Sequence, residues 1–149
     1  MRTVNAVRRS GVGIAQDGTV RQAAAIMDRA GVGSLAVLDG DRPVGIVTDR
    51  DLVRRVLARG LPDDARVDAV MSSPAVTIDA DADLHDAYGL FRTNAVRRLA
   101  VMWDGVFVGM LTIDDLLIDL AADLSDLSRP VTAEAIFGHH DTPAVVVAS

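Results

Sequence analysis

The stretch VGIVTDRDL, Val44 to Leu52, returns as VGMLTIDDL, Val108 to Leu116. Both copies carry one glycine in an apolar run and end in Thr-x-x-Asp-Leu. A shift of 64 positions superposes them without a gap, and the match spreads outward. Within residues 19–58, eleven positions equal their partners: Ala23, Val32, Leu35, Ala36, Val37, Val44, Gly45, Thr48, Asp51, Leu52 and Ala58. Other pairs exchange one apolar residue for another, as Ile26 does with Leu90 and Met27 with Phe91. Repetition of this kind marks one structural unit used twice. The units run over 4–60 and 68–124, with LPDDARV (61–67) between them and an unpaired tail over 125–149.

Each unit gives the same order of elements. A short strand surrounds Val12 and Ile14, or Val76 and Ile78. A helix follows, with Val20, Ala23, Ala24, Met27 and Ala30 at a period of three to four. Its counterpart carries Leu84, Ala87, Leu90 and Phe91. Then SLAVLDGDRPVGIV reads as two strands about a turn at Asp39–Pro43, and RLAVMWDGVFVGML as two strands about Asp104-Gly105. A second helix starts after Thr48 or Thr112, and Gly60 is placed to stop the first of these. The predicted fold is α/β: two β-α-β-β-α units. Each leaves one sheet face uncovered, and about 55 residues make a marginal domain alone. Packing the copies about a pseudo-twofold axis answers both needs.

Composition narrows the chemistry. Half of the 149 residues are hydrophobic, a quarter are charged and there is no cysteine. Disulfides, thiolate metal sites and cysteine nucleophiles are excluded. All fifteen basic residues are arginine, so Schiff-base and P-loop lysine chemistry is excluded as well. Arginine suits bidentate recognition of phosphate or carboxylate. The net charge of −6 argues against nucleic-acid binding. No signal region and no apolar run near ~20 residues is present. A cytoplasmic protein without membrane contact is expected.

Thr-x-x-Asp admits two readings. The plainer is a capping box, although Asp is shorter than the usual Glu or Gln at its third position. In the other, the helix N-terminus favours an anion. Thr48 would then donate to a phosphate and Asp51 would accept from a ribose diol. Gly45 would let the backbone approach a ligand closely.

Two in-register copies of G-h-h-T-x-x-D-h, Gly45–Leu52 and Gly109–Leu116, each closing a β-α-β-β-α unit, resemble a tandem pair of CBS (cystathionine-β-synthase) domains over residues 4–124. The stretch AVRRLAV, Ala95 to Val101, also resembles the second unit of such pairs. The resemblance implies a non-enzymatic regulatory module with no resident cofactor. Its ligand would be an adenine nucleotide or adenosyl compound, held in two composite clefts. One cleft would join Thr112, Asp115, Arg97 and Arg98 with Val12, Val32 and Gly33; the other would join Thr48 and Asp51 with Val76 and Val96. The clefts should differ, because Arg97 and Arg98 face Gly33 and Ser34 across the repeat. The resemblance further implies a disk-like homodimer and a client protein. A ligand-free scaffold is the alternative.

The second helices carry opposite charge, Arg50, Arg54, Arg55 and Arg59 against Asp114, Asp119, Asp123 and Asp126, which favours a head-to-tail dimer. The proline before the first strand of unit two, Pro74, is Ser10 in unit one, so the two first strands should be entered differently. GVGIAQ (11–16) lacks the third glycine of a dinucleotide fingerprint, and GVGS (31–34) reads as a helix stop. His139, His140 and Asp141 make a weak metal candidate, and His85 belongs on an exposed helix face. No nucleophile–base set is evident. Pro130 should end its helix, AVVVA in the tail has strand propensity, and Phe137 is free to dock on the disk.

Overall fold

The hairpin that precedes each Thr-x-x-Asp forms the centre of each half. In the computed structural model, which describes residues 2–136, β3 (Ser34–Asp39) pairs antiparallel with β4 (Arg42–Thr48), and β6 (Arg98–Trp103) with β7 (Val106–Thr112). Leu35-Ala36-Val37 and Leu99-Ala100-Val101 are wholly buried, as strands covered on both faces require. The repeat reaches even the irregularities. Pairing steps from Val37–Gly45 to Leu38–Pro43, and from Val101–Gly109 to Met102–Phe107. Val44 and Val108 are thus equivalent bulge residues. Asp104 and Gly105 turn with φ of 52° and 78°, the left-handed pair of a tight hairpin.

The first strands, β2 (Gly13–Ala15) and β5 (Thr77–Asp79), lie parallel to β3 and β6. The crossovers are α2 (Val20–Ala30) and α4 (Leu84–Asn94). Thr19 opens α2 with a full capping box to Gln22, and Asp83 caps α4 on the backbone N–H of Asp86. Val20, Ala23 and Met27 turn inward, as do Leu84, Ala87 and Phe91. Ala24 and Ala30, expected on the same face, are exposed; alanine fits either side of a helix, so its periodicity discriminates poorly. Gly31 stops α2 in the left-handed conformation, while Ala95 does so for α4 without glycine's freedom.

The last helices diverge. The first, α3 (Asp49–Asp51), continues as a π-helical segment over Leu52–Leu57, and Gly60 follows at φ 69°. The second, α5 (Ile113–Ile136), is a single helix of 24 residues. It runs through Pro130, where the sequence placed its end. An internal proline removes one backbone hydrogen bond, and here the helix continues past that loss. Phe137, His139, His140, Asp141 and the AVVVA stretch lie outside the described residues.

Each half borrows from the other. Near the N-terminus, α1 (Val4–Val7) and β1 (Arg9–Ser10) lie on the second half. Val4 is fully buried among Ile78, Leu84, Phe91, Leu99 and Leu111. Arg9 and Ser10 extend the second sheet by pairing with Met110 and Gly109, giving the order β1-β7-β6-β5. In return Val67 and Val70 complete the core of Ile14, Met27, Leu35, Val37 and Val47, and Ser72 bridges Ile46. Arg9 meets Met110 as Ser72 meets Ile46, so these arms correspond at a shift of 63, one less than the hairpins.

The arms account for two glycines. A Cβ at Gly45 would sit 2.7 Å from the Ser72 carbonyl oxygen, and one at Gly109 would collide with that of Arg9. The close backbone approach expected at Gly45 is therefore made by the crossing chain. Between the sheets, Ala36, Ile46 and Met110 form a third apolar cluster, in which the equivalent residues Ile46 and Met110 both take part.

Candidate functional site

Each Thr-x-x-Asp sits where a buried strand feeds a helix. Thr48 Oγ1 accepts from the Asp51 backbone N–H at 3.1 Å, and Asp51 Oδ2 accepts from that of Thr48 at 2.9 Å. Thr112 and Asp115 repeat both bonds at 3.1 Å. The capping reading is thus realised at both corners, and Asp closes the box despite its short side chain. Capping uses only one carboxylate oxygen. The other, Oδ1, is where the corners part.

At the first corner, Asp51 Oδ1 lies 3.7 Å from Arg55 Nε, beyond hydrogen-bond range. Arg55 instead donates to the carbonyls of Val70 and Met71 on the crossing segment, at 3.0 and 3.3 Å. Gly33 and Ser34 border this corner: the Asp49 N–H bonds to Gly33 O at 2.9 Å, and Ser34 pairs with Thr48. The Asp49 carboxylate lies over Gly33, about where a side chain would project. This corner gathers two acids, with Arg55 as its nearby cation.

At the second corner, Asp115 is 5% exposed, and its Oδ1 accepts from Arg9 Nε at 2.7 Å. Arg9 itself is 62% exposed, so it holds a buried carboxylate from the solvent side. Arg97 and Arg98 take the places of Gly33 and Ser34. Ile113 N–H bonds to Arg97 O at 3.0 Å, and Arg98 pairs with Thr112. Arg97 lies 3.8 Å from the exposed Asp114, while Arg98 Nε is buried without a hydrogen-bond partner. A buried donor left unpaired is costly.

Val12 and Val32 pack on the first core, Val76 and Val96 on the second, all partly buried. The structure thus gathers Thr48, Asp51 and Gly33 in one half, and Thr112, Asp115, Arg97 and Arg98 in the other. The residue that reaches the second corner along the lead-in to Val12 is Arg9, which the repeat did not reveal. Its signal was an Arg-Arg pair ahead of the first strand, opposite Met71-Ser72 once the arms are aligned.

Arg2 makes a second tie from the same arm, to Asp119 and, at 3.5 Å, to Asp123. Asp115 and Asp119, one helical turn apart, are the buried charged residues among those described. Part of the charge contrast between the last helices is therefore spent inside the chain: Asp119 and Asp123 on Arg2, Arg55 on the crossing segment. His85 is exposed on α4, as expected. With Tyr88, Leu117 and Leu120 it lines an apolar groove of about 300 Å³ between α4 and α5. Among the described residues no three His, Asp or Glu side chains gather as a metal site, and no helix is long and apolar enough to cross a membrane.

A family model described as CBS domain matches residues 6–58 and again 67–122. An uncharacterized protein of Methanopyrus kandleri is 35% identical over 94 residues, covering 61% of this chain and 48% of its own length. The chain thus spans about half of that relative. YlbB of Bacillus subtilis, also uncharacterized, is 33% identical over 128 residues, 80% of this chain and 86% of its own. Among solved structures, a CBS domain protein from Pyrobaculum aerophilum complexed with AMP superposes with a TM-score of 0.68 at 26% identity. That match covers 82% of this chain and 99% of the other.

Proposed function

The chain belongs to the CBS-domain family as a tandem pair, and on that premise we propose that it is a regulatory module whose ligand is an adenine nucleotide or related adenosyl compound. The observation that carries this reading is the second corner. There a buried carboxylate and a threonine hydroxyl stand at a helix N-terminus, Arg9 bonds to the carboxylate, Arg97 lies near Asp114, and Arg98, paired with Thr112 across the strands, leaves its Nε unpaired. A carboxylate suits a ribose diol, and arginine suits phosphate. The AMP complex of the Pyrobaculum relative supports the ligand class. The module performs no reaction on its ligand. Binding changes the relation of the two halves, which share the crossing arms, and a client protein reads that change.

The same reading holds that two copies assemble through the last helices. Leu117, Ile118, Leu120, Leu124 and Leu127 are exposed on α5, as are Val53 and Leu57 on the first half. Exposed apolar faces of this extent suit a partner surface.

Calorimetry with AMP, ADP, ATP, S-adenosylmethionine and NAD tests the ligand assignment on the wild type, Asp51→Ala and Asp115→Ala. The expected result is binding of a phosphorylated member, weakened more by Asp115→Ala than by Asp51→Ala. No binding across the panel, or a larger loss from Asp51→Ala, refutes it.

A further inference from the structure

Arg9 stands in the way of the role just assigned to Asp115. One oxygen of that carboxylate is committed to the Thr112 N–H at 3.1 Å, and the other is taken by Arg9 at 2.7 Å. Each oxygen can accept a second bond, but Asp115 is 5% exposed and Arg9 covers it from the solvent side, so a ribose hydroxyl that seeks Asp115 competes with the guanidinium for it. Displacement removes an ionic hydrogen bond from a buried carboxylate, which is among the stronger polar contacts in a protein. The Arg9 backbone cannot follow its side chain away, because β1 is paired to β7 at Met110 and Gly109. The displaced guanidinium therefore stays close to the corner, with five N–H donors to satisfy.

What a ligand offers in return decides the balance. A neutral nucleoside takes the Asp115 oxygen and gives Arg9 nothing. A nucleoside phosphate takes the same oxygen and supplies an anion for Arg9, beside Arg97 and Arg98. The first corner imposes no such exchange, because Asp51 Oδ1 has no hydrogen-bonded cation and Arg9's counterpart is Ser72. We infer that Arg9 is a specificity-determining residue, a charge filter that closes the second cleft to uncharged nucleosides and admits those carrying phosphate. This rests on the nucleotide-binding reading above, and it adds a residue, a ligand class and a direction of selectivity to it.

The test compares adenosine with ADP by calorimetry in Asp51→Ala protein, so that the second corner alone reports. Arg9→Ala is introduced there, and Arg9→Gln as a second variant that keeps length and a donor but no charge. Circular dichroism establishes that each is folded. The filter predicts opposite movements: adenosine binds more tightly once Asp115 is released, and ADP binds more weakly. The preference for ADP should fall by about tenfold or more, the size of one charge-assisted bond. Equal changes for both ligands, or an unchanged ratio, overturn the inference while leaving the nucleotide reading intact. Failure of both ligands to bind before Arg9 is altered overturns the two together.

Discussion

The corner at Thr48–Asp51 and the corner at Thr112–Asp115 share a capping box atom for atom, with its four bonds between 2.9 and 3.1 Å. They part at the remaining carboxylate oxygen. In the first it faces Arg55 across 3.7 Å; in the second it is bonded to Arg9 and buried. The neighbours part with it: Gly33, Ser34 and the carboxylate of Asp49 on one side, Arg97 and Arg98 on the other. Duplication preserved the scaffold that positions the motif and left the electrostatics free to diverge. A shared motif therefore does not mean a shared ligand preference.

The strongest way to break the comparison is to wedge the arms off their sheets. Gly109→Ala sets a methyl group against the Arg9 carbonyl oxygen, and Gly45→Ala sets one against Ser72. Backbone cannot yield as a side-chain tip does. Urea unfolding should show a loss of about 3 kcal/mol for Gly109→Ala, with Gly45→Ala similar or slightly smaller. A loss below about 1 kcal/mol for both would mean that the arms are not held against the sheets.

Removing the carboxylates sharpens the contrast without a ligand. Asp51→Ala removes a cap and should cost about 1 kcal/mol. Asp115→Ala removes a cap together with a buried acceptor for Arg9, and should cost about 2 kcal/mol in the same assay. Equal losses would mean that Arg9 adds nothing at the second corner.

The smallest effect tests the helix stops. Ala95 holds φ 53° where its counterpart is Gly31 at φ 68°. Ala95→Gly should raise stability by about 0.5–1 kcal/mol, whereas Gly31→Ala should lower it by about 1 kcal/mol. Thermal unfolding resolves both signs.

Much of the fold was legible because the repeat supplied two independent readings of each element. The hairpins and the Thr-x-x-Asp helix starts follow from local patterns present in both copies, while the Asp104-Gly105 turn and the Gly31 stop follow from patterns present in one. The crossing arms did not, for two reasons. Their correspondence is one residue shorter than that of the hairpins, so a gapless shift concealed Val4 and Val7 opposite Val67 and Val70. Their partners are also distant in sequence, and periodicity speaks only about neighbours. Gly45 illustrates the result: a need for backbone clearance was readable, while the chain that fills the clearance lies 26 and 27 residues on, at Met71 and Ser72. Of the candidate site, Thr48, Asp51, Thr112, Asp115, Arg97 and Arg98 are named by the motif and its flanks. Arg9 is not, since the Arg8-Arg9 pair gives no local sign of a partner more than a hundred residues away.

Val4 and Val67 carry one last consequence. Each plugs a core built otherwise by the opposite half, so a cut anywhere in the connector yields two fragments that each have an open hole and a stray flap. The gene was doubled, yet the product cannot be halved. Its two copies are laced like the flaps of a boot, and they should melt in one step.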